Sequence, residues 1–221
     1  MYSCRKMNSI MFYLYGALGL ILGYYIPYFS HKIMEYKKKD TAGKHNFLNY
    51  KSLKLILSIF NGCIWYMSAL KTDNPLISLL LGIMVTTGLI IVYIDIYIRI
   101  IPNEAVLFMI ITGVLFQIVQ FGTKSLIYAG ISMAAMMVVF TSVAGFVGFG
   151  KVGAGDIKLA GAMGISLGYP LIVTAVIAMA AILLIFIGVG LKIKKIYLSS
   201  MLPFAPFMIS GYIFALIYFL A

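Results

Sequence analysis

The stretch 171–191 carries no charged side chain. About 20 apolar residues in a row are what an α-helix needs to cross the hydrocarbon core of a bilayer. The chain repeats this pattern at 10–28, 53–70, 76–94, 105–121, 126–147 and 204–220, and adds a shorter, small-residue-rich segment at 157–168. Lipid offers no hydrogen-bond partner to a backbone N–H or C=O, so each run is expected to close its own bonds as a helix. The chain is therefore expected to be an all-α integral membrane protein, a polytopic bundle of about eight transmembrane helices, with residues 1–221 forming one domain. Composition agrees: 63% of the 221 residues are hydrophobic and 10% charged, against near half and about a quarter in soluble domains.

The cations set orientation. There are 17 Lys and Arg against 6 Asp and Glu, a net charge of +11. They sit between the apolar runs, where they act as topology determinants and attract anionic lipid headgroups rather than nucleic acid. The longest polar segment, 30–52, holds Lys32, Lys37, Lys38, Lys39, Lys44 and Lys51. With this loop in the cytoplasm and eight crossings, the links holding Arg99, Lys151 and Lys192, Lys194 and Lys195 also fall inside, and only Lys71 and Lys124 lie in outer turns. Both termini are then outside, and Arg5 and Lys6 run against that rule. Pro27 is expected to end the first run. The two cysteines, Cys4 and Cys63, form no CxxC pair and no Cys/His cluster, so no metal site is expected. Cys63 lies inside an apolar run and is expected in the core, and His31 and His45 in a solvated loop.

Acids beside apolar helices are costly unless they are solvated, paired or used. Glu35 and Asp40 lie in the polar loop and Asp73 in an outer turn, where water explains them. Asp95, Glu104 and Asp156 instead flank apolar helices on one membrane face. Asp95 closes the third helix. Asp156 opens the sixth, where the helix dipole favours an anion. Two carboxylates brought within a few ångströms share a proton, so that one can take a proton from water while the other protonates a substrate carbonyl. The glycines before Asp156 allow close packing and positive φ, making room for an extended peptide, and Lys158 would favour the charged form of Asp156. Read singly, Asp156 is a helix N-cap, Asp95 a solvated helix end, Gly153 and Gly155 packing residues, and Arg99, Lys151 and Lys158 snorkelling cations.

The combination is more specific. Asp95, followed after six residues by Pro102 and then Asn103, resembles the first active-site motif of the type IV prepilin peptidases. Gly153-Ala154-Gly155-Asp156-Ile157-Lys158-Leu159 is similar to that family's second motif, GxGD followed by a hydrophobic residue, Lys and Leu. Leu202-Pro203-Phe204-Ala205-Pro206-Phe207 resembles its Pro-Phe-x-Pro-Phe signature at the start of the last helix. The resemblance implies an aspartic endopeptidase of the cytoplasmic membrane that removes short basic leaders from prepilins or pseudopilins at the cytoplasmic face, cutting after a glycine. It implies Asp95 and Asp156 as the catalytic pair, with no cofactor and no metal for proteolysis. Many family members also methylate the new N-terminus with S-adenosylmethionine. The larger ones carry a cytoplasmic domain with two CxxC pairs between the first two helices. Here the short basic loop 30–52, which has no cysteine, stands in its place, and methylation stays open.

Two other readings stand beside this one. Another GxGD membrane protease, archaellin-type or presenilin-like, shares the second motif. The link through Pro102 and Asn103 separates the chain from the presenilin type, whose first Asp lies within a helix in a Tyr-Asp pair. A small ion-coupled transporter would use Asp95 and Asp156 as coupling groups, and predicts repeated halves with broken helices.

Overall fold

The structure, a computed structural model, describes residues 9–37, 51–147, 153–193 and 203–221. Lys38, Lys39, Asp40, Lys44, His45, Lys151, Lys194 and Lys195 lie outside the described residues, as do Cys4, Arg5 and Lys6. Eight helices are present among the described residues: α1 (Ser9–Lys37), α2 (Lys51–Lys71), α3 (Pro75–Ile98), α4 (Asn103–Phe121), α5 (Ser125–Val147), α6 (Ala154–Leu167), α7 (Leu171–Lys192) and α8 (Ala205–Leu220). No strand is found among them. The protein is an all-α polytopic membrane protein, and α1–α5 and α7 are long and apolar enough to cross a bilayer. α8 is a shorter apolar helix of 16 residues. α6, at 14 residues, spans about 21 Å, less than the roughly 30 Å of hydrocarbon.

Helix ends follow local chemistry. The turn between α2 and α3 closes at Asn74, whose Oδ1 accepts the Leu76 N–H at 2.9 Å, and Pro75 occupies the first helical position. A missing N–H costs nothing there. The first helix departs from expectation. Pro27 does not end it: α1 runs on to Lys37 with Pro27 buried inside it, as membrane helices allow when neighbours surround the freed carbonyl. Residues 30–37 of the expected loop are therefore helical. His31 is half-buried rather than solvated, with Nδ1 3.5 Å from Glu35 one turn on.

α3 is the axis of the bundle. Of its apolar window 67% is buried inside the protein, against 22% for α1, α5 and α7, whose remaining surface is free for lipid. Around α3 stand α1, α2, α4 and α8, with α6 wedged among α4, α5 and α8. Close packing of α1, α2 and α3 depends on glycine. Trp65 is fully buried, and a Cβ at Gly19 would stand 2.6 Å from Trp65 Cβ. The indole edge lies over Gly82 of α3. Trp65 Nε1 donates to Thr86 Oγ1 at 3.1 Å, Thr86 Oγ1 lies 3.0 Å from Asn61 Oδ1, and Asn61 Nδ2 donates to the Gly19 carbonyl at 2.8 Å. Helix–helix hydrogen bonds of this kind contribute about 0.6–2 kcal/mol each in a bilayer. Cys63 is exposed, not in the core, because the faces of α2 that meet α1 and α3 carry Asn61, Gly62, Ile64 and Trp65.

Candidate active site

Five helix ends converge at one end of the bundle. The last residue of α1, the end of α3, and the starts of α4 and α6 enclose a cleft of about 340 Å³. The start of α8 reaches the same place through a hydrogen bond to Asp95. Asp95 and Asp156 both line the cleft, and the charge of Asp156 acts on Asp95.

Asp95 sits in the last turn of α3 and is 5% exposed. Its own helix presents its negative end there, an unfavourable place for an anion. The positive end of α8 offsets this: Asp95 Oδ2 accepts the backbone N–H of Ala205 at 3.2 Å. The Pro-Phe-x-Pro-Phe signature explains the geometry. Pro206 lies in the first turn of α8 and brings no N–H, and Phe204 accepts from Phe207 and Met208. Ala205, the residue between the two Pro-Phe pairs, is left to supply its N–H to the carboxylate. Pro203 precedes the helix and is half-buried.

Asp156 is the third residue of α6. Its Oδ2 turns back to accept the Gly153 N–H at 3.1 Å, the half of a capping box that an acid at this position supplies. The N-cap is therefore Gly153, not Asp156. The glycines serve in a different way than expected. Gly153 has φ −72°, and positive-φ glycines among the described residues are Gly122 and Gly168. Gly155 acts by closeness: a Cβ there would lie 3.1 Å from Ile101 Cβ. This contact seats α6 against the link between α3 and α4. Gly148 and Gly150 lie outside the described residues.

The first motif curls around this contact. Arg99 ends α3 with its N–H on the Asp95 carbonyl at 2.9 Å, and Pro102 is buried as the N-cap of α4. Asn103, the first residue of α4, accepts Lys158 Nζ on its Oδ1 at 3.2 Å. Lys158 is thus tied to Asn103 rather than to Asp156. It joins the two motifs, and no ion pair links it to a carboxylate among the described residues. Glu104 accepts Lys37 Nζ at 2.8 Å, clipping the end of α1 to the start of α4.

In both aspartates a backbone N–H holds one oxygen, Oδ2, while Oδ1 accepts no hydrogen bond among the described residues. The cleft can therefore present two free carboxylate oxygens to a water or a carbonyl group. Among the described residues no group of three or more His, Cys, Asp or Glu comes together that could hold a metal ion. Of the residues singled out in the sequence, Asp95, Asp156, Asn103, Gly153, Gly155 and Lys158 line the cleft, and Pro102 lies in the link beside it without lining it. Sequence reasoning missed the Ala205 N–H, since a backbone donor leaves no side-chain signature. It also missed Lys37, which read only as one loop cation among several.

A family model, that of the type IV leader peptidase family, matches residues 79–190, just over half of the chain. No curated protein and no solved structure matches it.

Proposed function

The chain belongs to the type IV leader peptidase family, and from that premise we propose that this membrane peptidase is an aspartic endopeptidase using Asp95 and Asp156. Its substrates on this reading are prepilins or pseudopilins, cut after the glycine that ends a short basic leader, at the cytoplasmic face of the cell membrane. The observation that carries the reading is the shared cleft, lined by a buried carboxylate from α3 and a half-buried one from α6.

The chemistry follows from one shared proton. On this reading the catalytic form of the pair holds one proton between its two carboxylates, as carboxylates sharing a site do. The ionised member takes a proton from water as that water attacks the scissile carbonyl, and the protonated member gives its proton to the carbonyl oxygen. The tetrahedral gem-diol then collapses: the departing amine receives the proton that came from water, and one gem-diol hydroxyl returns its proton to the other carboxylate, which restores the starting pair. No metal or cofactor enters these steps. The backbone N–H groups of Ala205 and Gly153 hold the acids in place through the exchange, and such fixed donors need no reorganisation as the charge moves. S-adenosylmethionine belongs only to methylation of the product, which mass spectrometry of the cleaved N-terminus would read directly.

The test is cleavage of a prepilin by purified protein in proteoliposomes. Asp95→Asn and Asp156→Asn are each expected to abolish cleavage while inserting normally. One acid–base group contributes about 10²–10⁴-fold, and partners acting as a unit fail together. Glu104→Gln is the control, because Glu104 is exposed, pairs with Lys37 and does not line the cleft. It is expected to cleave within a few-fold of the unaltered protein. Cleavage above a few per cent in either Asp variant, at normal protein level, would remove that residue from the mechanism.

A further inference from the structure

Three cations border the cleft, Lys37, Arg99 and Lys158, and they are not equivalent. Lys37 is held by Glu104 at 2.8 Å and Lys158 by Asn103 at 3.2 Å. The Arg99 guanidinium makes no hydrogen bond and no ion pair within 4 Å among the described residues, and its charge acts on Asp95 only at longer range. Its donors are fixed in a planar fork, and its charge persists at any physiological pH.

The backbone makes Arg99 stranger still. It caps α3 at φ 53°, ψ 40°, and among the described residues it alone, glycines aside, has positive φ. This left-handed position at a helix end is ordinarily glycine's, because a Cβ crowds the adjoining carbonyl. A charge needed only to fix topology would serve equally well at exposed Ile100, one residue on and without that strain. A strained residue at a cleft signals that its side chain has work there.

We infer that Arg99 is a substrate-binding residue whose guanidinium donates to an oxygen acceptor of the polypeptide lying across Asp95 and Asp156. The inference rests on the peptidase reading above. The acceptor is an acidic side chain or a main-chain carbonyl, and the fork fits either a carboxylate or two neighbouring carbonyls. The charge of the cleft bears on which part of the substrate lies there. Arg99 carries no carboxylate partner to offset its repulsion of a basic leader, whereas Lys37 is offset by Glu104, so the segment beside Arg99 is the one that follows the cut.

The experiment compares Arg99→Gly, Arg99→Lys and Asp156→Asn in vesicles of fixed lipid composition. The probes are synthetic peptides with a basic leader ending in glycine and an apolar segment after it. A single glutamate, or glutamine in its place, is walked through the residues after the glycine. Arg99→Gly is expected to melt about 2–4 °C higher, since glycine relaxes the left-handed cap. Its KM is expected to rise roughly 10- to 100-fold with kcat little changed, and Arg99→Lys to fall between. A carboxylate acceptor confines the KM effect to glutamate at one position; a carbonyl acceptor gives the same effect on every probe. Unchanged KM on all probes, with Asp156→Asn inactive, would overturn the role of Arg99 and leave the peptidase reading standing. So would a lowered melting temperature accompanying the loss, which marks a structural role, or a loss that follows anionic lipid content instead of the peptide. Cleavage by Asp156→Asn would reject the peptidase reading itself.

Discussion

The carboxylate of Asp95 and the backbone of Ala205 meet at 3.2 Å across 110 positions of sequence, Oδ2 accepting the N–H. This one bond ties the end of α3 to the start of α8. A neutral amide oxygen at position 95 can accept the same N–H. The Asn variant also removes a buried charge that faces Asp156. Asp95→Asn is therefore expected to be at least as stable as the unaltered protein while losing cleavage, the trade common at functional sites. Thermal unfolding in detergent, read by intrinsic fluorescence, decides it. A fall of several degrees would mean that the buried charge of Asp95 stabilises the bundle instead of costing it stability.

Gly155 and Ile101 form the second close contact. An alanine at 155 would bring its Cβ to 3.1 Å from Ile101 Cβ, so α6 must shift by a few tenths of an ångström and carry Asp156 with it. A full 1 Å misplacement of reacting groups costs about 10²-fold in rate, so a shift of a few tenths of an ångström is expected to cost roughly 10-fold at most. Gly155→Ala is expected to lower kcat by about that factor, and Gly155→Val to lower it further. Ile101→Ala should restore part of the loss in the double variant, because neighbours sharing a contact are not additive. Equal loss with and without Ile101→Ala would show that the contact does not set the position of Asp156.

Gly82 and Trp65 lie away from the cleft, and a substitution there separates folding from chemistry. A side chain at Gly82 would enter the indole ring of Trp65. Overpacking of this kind costs about 1–3 kcal/mol. Gly82→Val is expected to reduce the yield and melting temperature of the protein, while kcat per folded molecule stays near normal. A selective loss of kcat at unchanged stability would contradict this division.

The cations give a prediction about topology. Lys32, Lys37, Lys51, Lys54, Arg99, Lys158 and Lys192 belong to helix ends or links on the side of the cleft, and Lys71 and Lys124 to turns on the other. Reporter fusions within 38–50 and after Lys195 are expected to read cytoplasmic, and fusions after Lys124 to read outside. An outside signal after Lys195 would mean that the short α6 does not carry the chain across.

Much of this protein was legible one residue at a time. Uninterrupted apolar runs dictate helices, because a backbone in lipid has no other way to satisfy its hydrogen bonds. Asn74 and Pro75 dictate where α3 begins, because a side-chain acceptor and a missing N–H are local facts. Asp95 and Asp156 stood out because acids are expensive beside apolar helices. Other features were not legible because they depend on what lies opposite. Pro27 reads as a stop in isolation, yet α1 continues through it among its neighbours. Cys63 sits in an apolar run, and α2 turns it outward. Lys158 lies two residues from Asp156, and its tip reaches Asn103 on another helix. The sequence by itself determined the bundle and the two acids, both consequences of what each segment costs in lipid. Only the tertiary structure decided that Ala205 supplies the N–H to Asp95, that Gly155 yields space to Ile101, and that Arg99 is the cation without a hydrogen bond among the described cleft residues. Those are relations between surfaces distant in sequence, and no single segment contains the energy that selects them.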